Sequence, residues 1–223
     1  DTVYNELTKG PVSKLERKFK ISDLFPVFIN YFKNKSNIQV FNSNNWKYFC
    51  QFENHNVNAN RKLFNPIKMY LSVGSKNIYK VAIVLFDFLE QNNIYHDSKI
   101  ASEVRCDDIV IRVYSKEDEL KIRNFINNNK IIKKSLNDPN PFCFEQMGIG
   151  YAIDGNLSYN STIANYISKY INDRNIRGKK VSLSDLYNYI SDIYNQVFVN
   201  KTLINEYIKE YIDQRDIKSY GLG

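Results

Sequence analysis

Apolar positions along this chain switch between two spacings. Ile67 to Val73 (IKMYLSV) alternates, with Ile67, Met69, Leu71 and Val73 on one side and Lys68, Tyr70 and Ser72 on the other, which predicts a strand ending at Gly74-Ser75. Asn77 to Asn92 then repeats Ile78, Val81, Ala82, Leu85, Phe88 and Leu89 at helical spacing. Lys99 to Val104 and Ile109 to Val113 predict two further strands, joined by a tight turn at Cys106-Asp107-Asp108. Lys116 to Asn128 predicts a helix on Leu120, Ile122, Phe125 and Ile126, with Ser115 as cap and Glu117 and Asp118 in the first turn, where carboxylates suit the helix dipole. Together these segments predict a β-α-β-β-α unit.

The flanking pattern is less regular. Asp1 to Lys20 is polar and basic, broken by Gly10-Pro11, and reads as a loosely held arm. Leu24, Phe25, Phe28, Tyr31 and Phe32 predict a docking helix capped by Ser22. The asparagine-rich stretch from Asn34 to Asn65 predicts a strand or two, Trp46 to Phe52 among them. Asn137 to Pro141 reads as a linker and Met147 to Asn156 as an ordered glycine-containing loop. Three helices are expected over Asn160 to Asp173, Ser184 to Val199 and Lys201 to Asp213, with Ser184-Asp185 capping the middle one. The expected fold is α+β: a mixed or antiparallel sheet with a C-terminal cluster of helices. A polar arm (1–20) precedes a single domain (21–223), in which 137–160 is a connecting loop region.

Composition narrows the function classes. Of 223 residues, 43% are hydrophobic and 14% aromatic, too apolar for a disordered chain despite a formal charge of +7. No stretch reaches the roughly 18 to 20 apolar residues of a membrane span. Cys50, Cys106 and Cys143 are an odd set with no CxxC spacing, against a disulfide framework or a zinc site and in favour of a reducing compartment. The chain begins at Asp1 and shows no secretory-leader pattern, which reads as a trimmed or processed piece. With His55 and His96 the only histidines, metal catalysis is disfavoured, and no Gly-x-Ser-x-Gly elbow supports a serine nucleophile. Gly148-Ile149-Gly150 lacks the third glycine of a dinucleotide fingerprint and reads as a turn.

Candidate chemistry lies in cations set within strand-like segments: Lys68 and Tyr70, Lys99, Arg105 and Arg112. If neighbouring strands bring Lys68, Lys99 and Arg105 together, the cleft would attract a dianionic group. A solvated sheet face would show the same lysine, tyrosine and serine pattern. A basic nucleic-acid surface is a further use for such residues, although they are dispersed and carry no recognition motif.

Three stretches carry a family resemblance: RKLFNPIKMYLSV, YHDSKIASEVRCDDIVIRVYS and PFCFEQMGIGYAIDGNLSYN. Their order, from Trp46 to the DIKSYGLG tail, resembles the HopA-type family of bacterial effectors and their relatives in lanthipeptide and thioamide-peptide biosynthesis. Pro141-Phe142, Gly148-Ile149-Gly150 and Ser158-Tyr159 match its pattern, whereas Asn160 stands at its usual glycine and Ile163 where arginine commonly follows. That family in turn resembles the phosphothreonine lyases. Lys68-Met69-Tyr70 is similar to their Lys-x-His strand, with tyrosine at the histidine, and Lys99 and Arg105 resemble the second lysine and the phosphate-binding arginine.

The resemblance implies β-elimination of phosphate from a phosphorylated precursor peptide in the bacterial cytoplasm, or by an injected effector, without metal or cofactor. Lys68, Tyr70 and Lys99 are then catalytic, Arg105 and Arg112 bind phosphate, and Ser158 and Tyr159 bind substrate. A kinase or a leader-binding subunit would be a partner, and neither a membrane nor nucleic acid is expected as one. The changed positions leave a second reading open, a relative that binds peptide or protein without turnover.

Overall fold

The computed structural model of the chain describes residues 2–9, 12–33, 35, 38–43, 46–51, 67–139, 143–153 and 158–195. Helix α1 is Thr2–Lys9, two short 3-10 turns follow at Glu16–Lys18 and Ile21–Leu24, and α2 is Phe25–Phe32. Strands β1 (Ile38–Ser43), β2 (Trp46–Gln51) and β3 (Ile67–Leu71) precede α3 (Ile78–Gln91). Next come β4 (Asp97–Ala101), β5 (Ile109–Val113), α4 (Lys116–Asn128) and the single turn α5 (Lys130–Lys133). The described chain closes with β6 (Phe144–Gln146), β7 (Ile149–Ile153), α6 (Tyr159–Ile176) and α7 (Leu183–Asn195).

The strands form one sheet in the order β1-β2-β4-β5-β3-β7-β6, antiparallel at every step. The α+β expectation holds, as does the β-α-β-β-α unit, here β3-α3-β4-β5-α4. Period two divides the sheet. One face carries Ile67, Met69, Leu71, Ile109, Ile111 and Tyr151, all fully buried. Helix α4 meets it where the Tyr151 hydroxyl donates to Glu119 Oε1 at 2.7 Å, and α3 where Phe86 stacks on His96. The two helices join through the Phe88–Phe125 stack, and α2 packs behind α3 through Phe32 and Phe86. Of the apolar positions read on α4, Ile122 and Ile126 are buried while Leu120 faces outward.

Several expectations need correction. Thr2–Lys9, within the expected loose arm, is a helix with Leu7 buried, packed against α6. Ser22 sits in a 3-10 turn rather than at a cap; α2 begins at Phe25, with Pro26, which has no N–H to satisfy, in its first turn. Met147 and Gly148, both at positive φ (57° and 83°), form a two-residue hairpin loop, so the expected glycine loop is strand β7 over Ile149–Ile153, and its residues 154–156 lie outside the described residues. Ser182, not Ser184, caps α7, its Oγ accepting the Asp185 N–H at 3.0 Å. Ser115 does cap α4, accepting from the Asp118 N–H at 3.1 Å. The helix expected at 201–213, and the chain between β2 and β3, lie outside the described residues.

Candidate active site

The candidate residues lie on the second face of the sheet. Lys68 lies opposite Arg112 on β5 and Ala152 on β7; Tyr70 lies opposite Val110 and Gly150; Lys99 on β4 also lies opposite Val110. Register therefore sets Lys68, Tyr70, Lys99 and Arg112 on one side of three adjacent strands. Water does not cover that side: Lys68 is 4% exposed and Tyr70 and Ser72 are each 3% exposed. The solvated-face reading is overturned at β3, because α1 and the start of α6 close over it.

A cavity of about 150 Å³ remains beneath this cover, walled by Lys68, Tyr70, Lys99 and Val110 from the sheet, Asp107 from the β4–β5 loop, Tyr4 from α1, and Ser158 and Asn160 from α6. Burial, then the Lys68 charge, then the more distant Arg112 and Arg105 pull the Lys99 amine down from 10.5 to about 8, against an opposing pull from Asp107. Two amines share a confined space, and Coulomb repulsion between them is mutual.

Beside the cavity, the β4–β5 loop is held by its own carboxylates. Asp108 accepts from the N–H groups of Val73 (2.7 Å), Gly74 (2.8 Å) and Arg105 (2.6 Å), tying the end of β3 to the loop. Burial raises its carboxyl to about 6 even though those three donors pull the other way. Arg105 turns its fork onto Asp107, with Nε to Oδ1 at 2.5 Å and Nη2 to Oδ2 at 3.2 Å, and Nη2 also donates to the Tyr4 hydroxyl at 2.9 Å. Asn160 donates its amide to Asp107 Oδ2 at 2.9 Å. Arg105 thus meets a carboxylate of its own chain.

The three expected catalytic residues, Lys68, Tyr70 and Lys99, share the cavity. Arg105 and Arg112 stand close enough to act on Lys99 electrostatically but are not among its wall residues. Ser158 lies on the rim, its Oγ accepting the Ser161 N–H at 3.2 Å as the α6 cap, whereas Tyr159 is buried in the hydrophobic core. Ile163 is fully buried. Gly150 is needed for close packing: a Cβ there would sit 2.6 Å from Cys143 Sγ and 3.0 Å from Pro139 Cβ. The sequence reading missed Tyr4 and Asp107; Tyr4 lies 101 positions from Arg105, and no local pattern couples residues so far apart. Burial pushes the thiols of Cys106 and Cys143 up, which leaves them inert as nucleophiles.

Among solved structures, one similar in fold can be named. It is the effector protein from Pseudomonas syringae pv. syringae strain 61, at 9% identity and a TM-score of 0.50, over 85% of this chain and 82% of that one. The likeness is one of fold. No family model matches the chain, and no curated protein matches it. Among the described residues, no helix is long and apolar enough to cross a membrane.

Proposed function

We propose that this chain is a lyase that removes phosphate from phosphoserine or phosphothreonine in a peptide, leaving dehydroalanine or dehydrobutyrine. The observation that carries the reading is the Lys68–Lys99 pair, enclosed with two phenols in one cavity, with Lys99 drawn to about 8. β-Elimination needs a base for the Cα proton and an acid for the departing phosphate, which carries roughly −1.5 to −2 charge near neutrality. Lys68 takes the Cα proton, and the C–H electron pair becomes the Cα=Cβ bond. The Cβ–O bond breaks with its pair on the phosphate, which takes a proton from a phenol. Lys99, with Arg112 and Arg105 behind it, supplies the positive field that holds the phosphate.

Two phenols border the cavity, Tyr70 and Tyr4. Arginine only donates, so the Tyr4 oxygen must accept from Arg105, and its own proton is directed elsewhere. Tyr4 is therefore a second candidate acid beside Tyr70, oriented by Arg105, which is oriented in turn by Asp107. Ser158 on the rim would meet the peptide, and Tyr159 would support that rim from the core. This chemistry suits a bacterial peptide-modifying system in which a kinase installs the phosphate, or an injected effector acting on a phosphoprotein. The experiment incubates the protein with phosphoserine and phosphothreonine peptides and reads loss of the elements of phosphoric acid by mass spectrometry.

A binding-only reading is favoured by one observation, the engagement of Arg105 with Asp107 on a wall that carries tyrosine where the lyases have histidine. Phosphopeptide retention without mass loss would select it.

A further inference from the structure

Lys68, the base of the proposed elimination, is 4% exposed, and the cavity it shares with Lys99 and Tyr70 holds only about 150 Å³. A base must come within about 3 Å of the atom that carries the proton. In a phosphorylated peptide that atom is Cα, so the backbone on both sides of the residue has to follow the phosphate inward. Pockets that enclose whole ligands start at roughly 300 Å³. The closed cavity therefore suits a phosphate-sized group but not the residue that carries it, and part of the cover must move.

The two pieces of that cover are not equally held. The start of α6 is rooted in the core: Tyr159, Ile163, Ala164 and Ile167 are all buried, and Asn160 is tied to Asp107. Helix α1 has eight residues, short enough to be marginal without tertiary support. Its buried residues, Leu7 and Thr8, lie at one end. That end is pinned to the β4–β5 loop, where the Cys106 N–H donates to the Thr8 carbonyl at 2.9 Å and the Cys106 thiol to the Leu7 carbonyl at 3.3 Å, while Lys9 pairs with Glu103 at 2.5 Å. Toward the other end Val3 and Tyr4 are half-buried, and Asn5 and Glu6 face solvent. Tyr4 reaches the cavity from this looser half, its hydroxyl against Arg105 and its ring centre 5.4 Å from the guanidinium. Segments with few buried apolar groups open at lower free energy than the core around them.

We propose that α1 is a gate: it swings on its Leu7–Lys9 end, lifts Tyr4 off the cavity to admit a phosphorylated residue, and brings Tyr4 back once the residue is seated. The gate rests on the phosphopeptide reading of the cavity. Only the open fraction of the protein admits peptide, so peptide association tracks how often α1 opens.

The test changes the gate without touching the cavity wall, because Asn5 and Glu6 are exposed and off it. Asn5→Gly combined with Glu6→Gly weakens the helix and should speed hydrogen exchange of the α1 amides about fivefold; Asn5→Ala strengthens it and should slow them about threefold. Association of a fluorescently labelled phosphothreonine peptide, read by stopped-flow anisotropy, should shift by the same factors in the same directions. Exchange of the α6 amides should stay as in the parent protein, and Asn5→Ala keeps the test in force if the glycine variant does not fold. Equal peptide association in parent and variants, or α1 amides that exchange only in step with those of α6, overturns the gate. Mass spectrometry of the same samples separates the two readings. Equal association with phosphate loss removes the gate and leaves the lyase, whereas association that tracks α1 without phosphate loss keeps the gate and removes the lyase. A peptide that binds none of these proteins overturns both.

Discussion

Single residues carry most of the chemistry, and their charge states can be followed separately. Lys99 is depressed by burial first and by Lys68 second, so replacing Lys68 with alanine should move the Lys99 titration from about 8 back toward 10.5. Nitrogen NMR of labelled lysine side chains reads this directly, and an unmoved titration would deny that the amines are coupled. Lys99 holds the phosphate only as the charged ammonium, so the elimination rate should fall as pH rises through about 8. Tyr4→Phe removes only a hydroxyl; if Tyr4 protonates the leaving phosphate, kcat should fall by about 10²-fold with little change in KM. His96 is fully buried and burial lowers it to about 4, below its ordinary 6.5. The unfolded chain then binds more protons between those values, so stability is complete above pH 6.5 and falls as pH drops toward 4, by about 3 kcal/mol in all. Urea titrations across that window check the slope, which His96→Phe should flatten.

At the scale of elements, Gly148 and Gly150 illustrate how far sequence reading extends. The glycine pair was legible as a turn, and Gly148 supplies one at φ +83, but Gly150 answers a packing demand set by Cys143, Pro139 and Tyr70. Gly150→Ala should therefore destabilise by about 1 to 3 kcal/mol through overpacking. Met147→Gly should stabilise by up to about 1 kcal/mol, because methionine sits at φ +57 with its side chain largely in solvent. Thermal denaturation distinguishes the two signs. Strands β3 and β5 and helices α3 and α4 were readable because each buries one periodic face. The cover over the polar face was not, since it depends on Tyr4 meeting Arg105 and Asn160 meeting Asp107 across 101 and 53 positions. Local pattern cannot encode such pairings. The same physics misled the reading of Lys68, Tyr70 and Ser72, which look solvated in sequence and are enclosed in the fold.

For the whole molecule, the antiparallel sheet with helices over both faces supports the likeness of fold to the Pseudomonas syringae effector, while activity must be argued from the enclosed cations themselves. Burying Lys99 beside Lys68 costs about 3 kcal/mol, judged from the drop from 10.5 to about 8. The most direct measurement is mass spectrometry of a phosphothreonine peptide incubated with the intact protein and with Lys68→Ala. The account predicts phosphoric acid loss to a dehydrobutyrine product with the intact protein and none with the variant. An unchanged peptide mass with the intact protein, or equal loss with both, would contradict it.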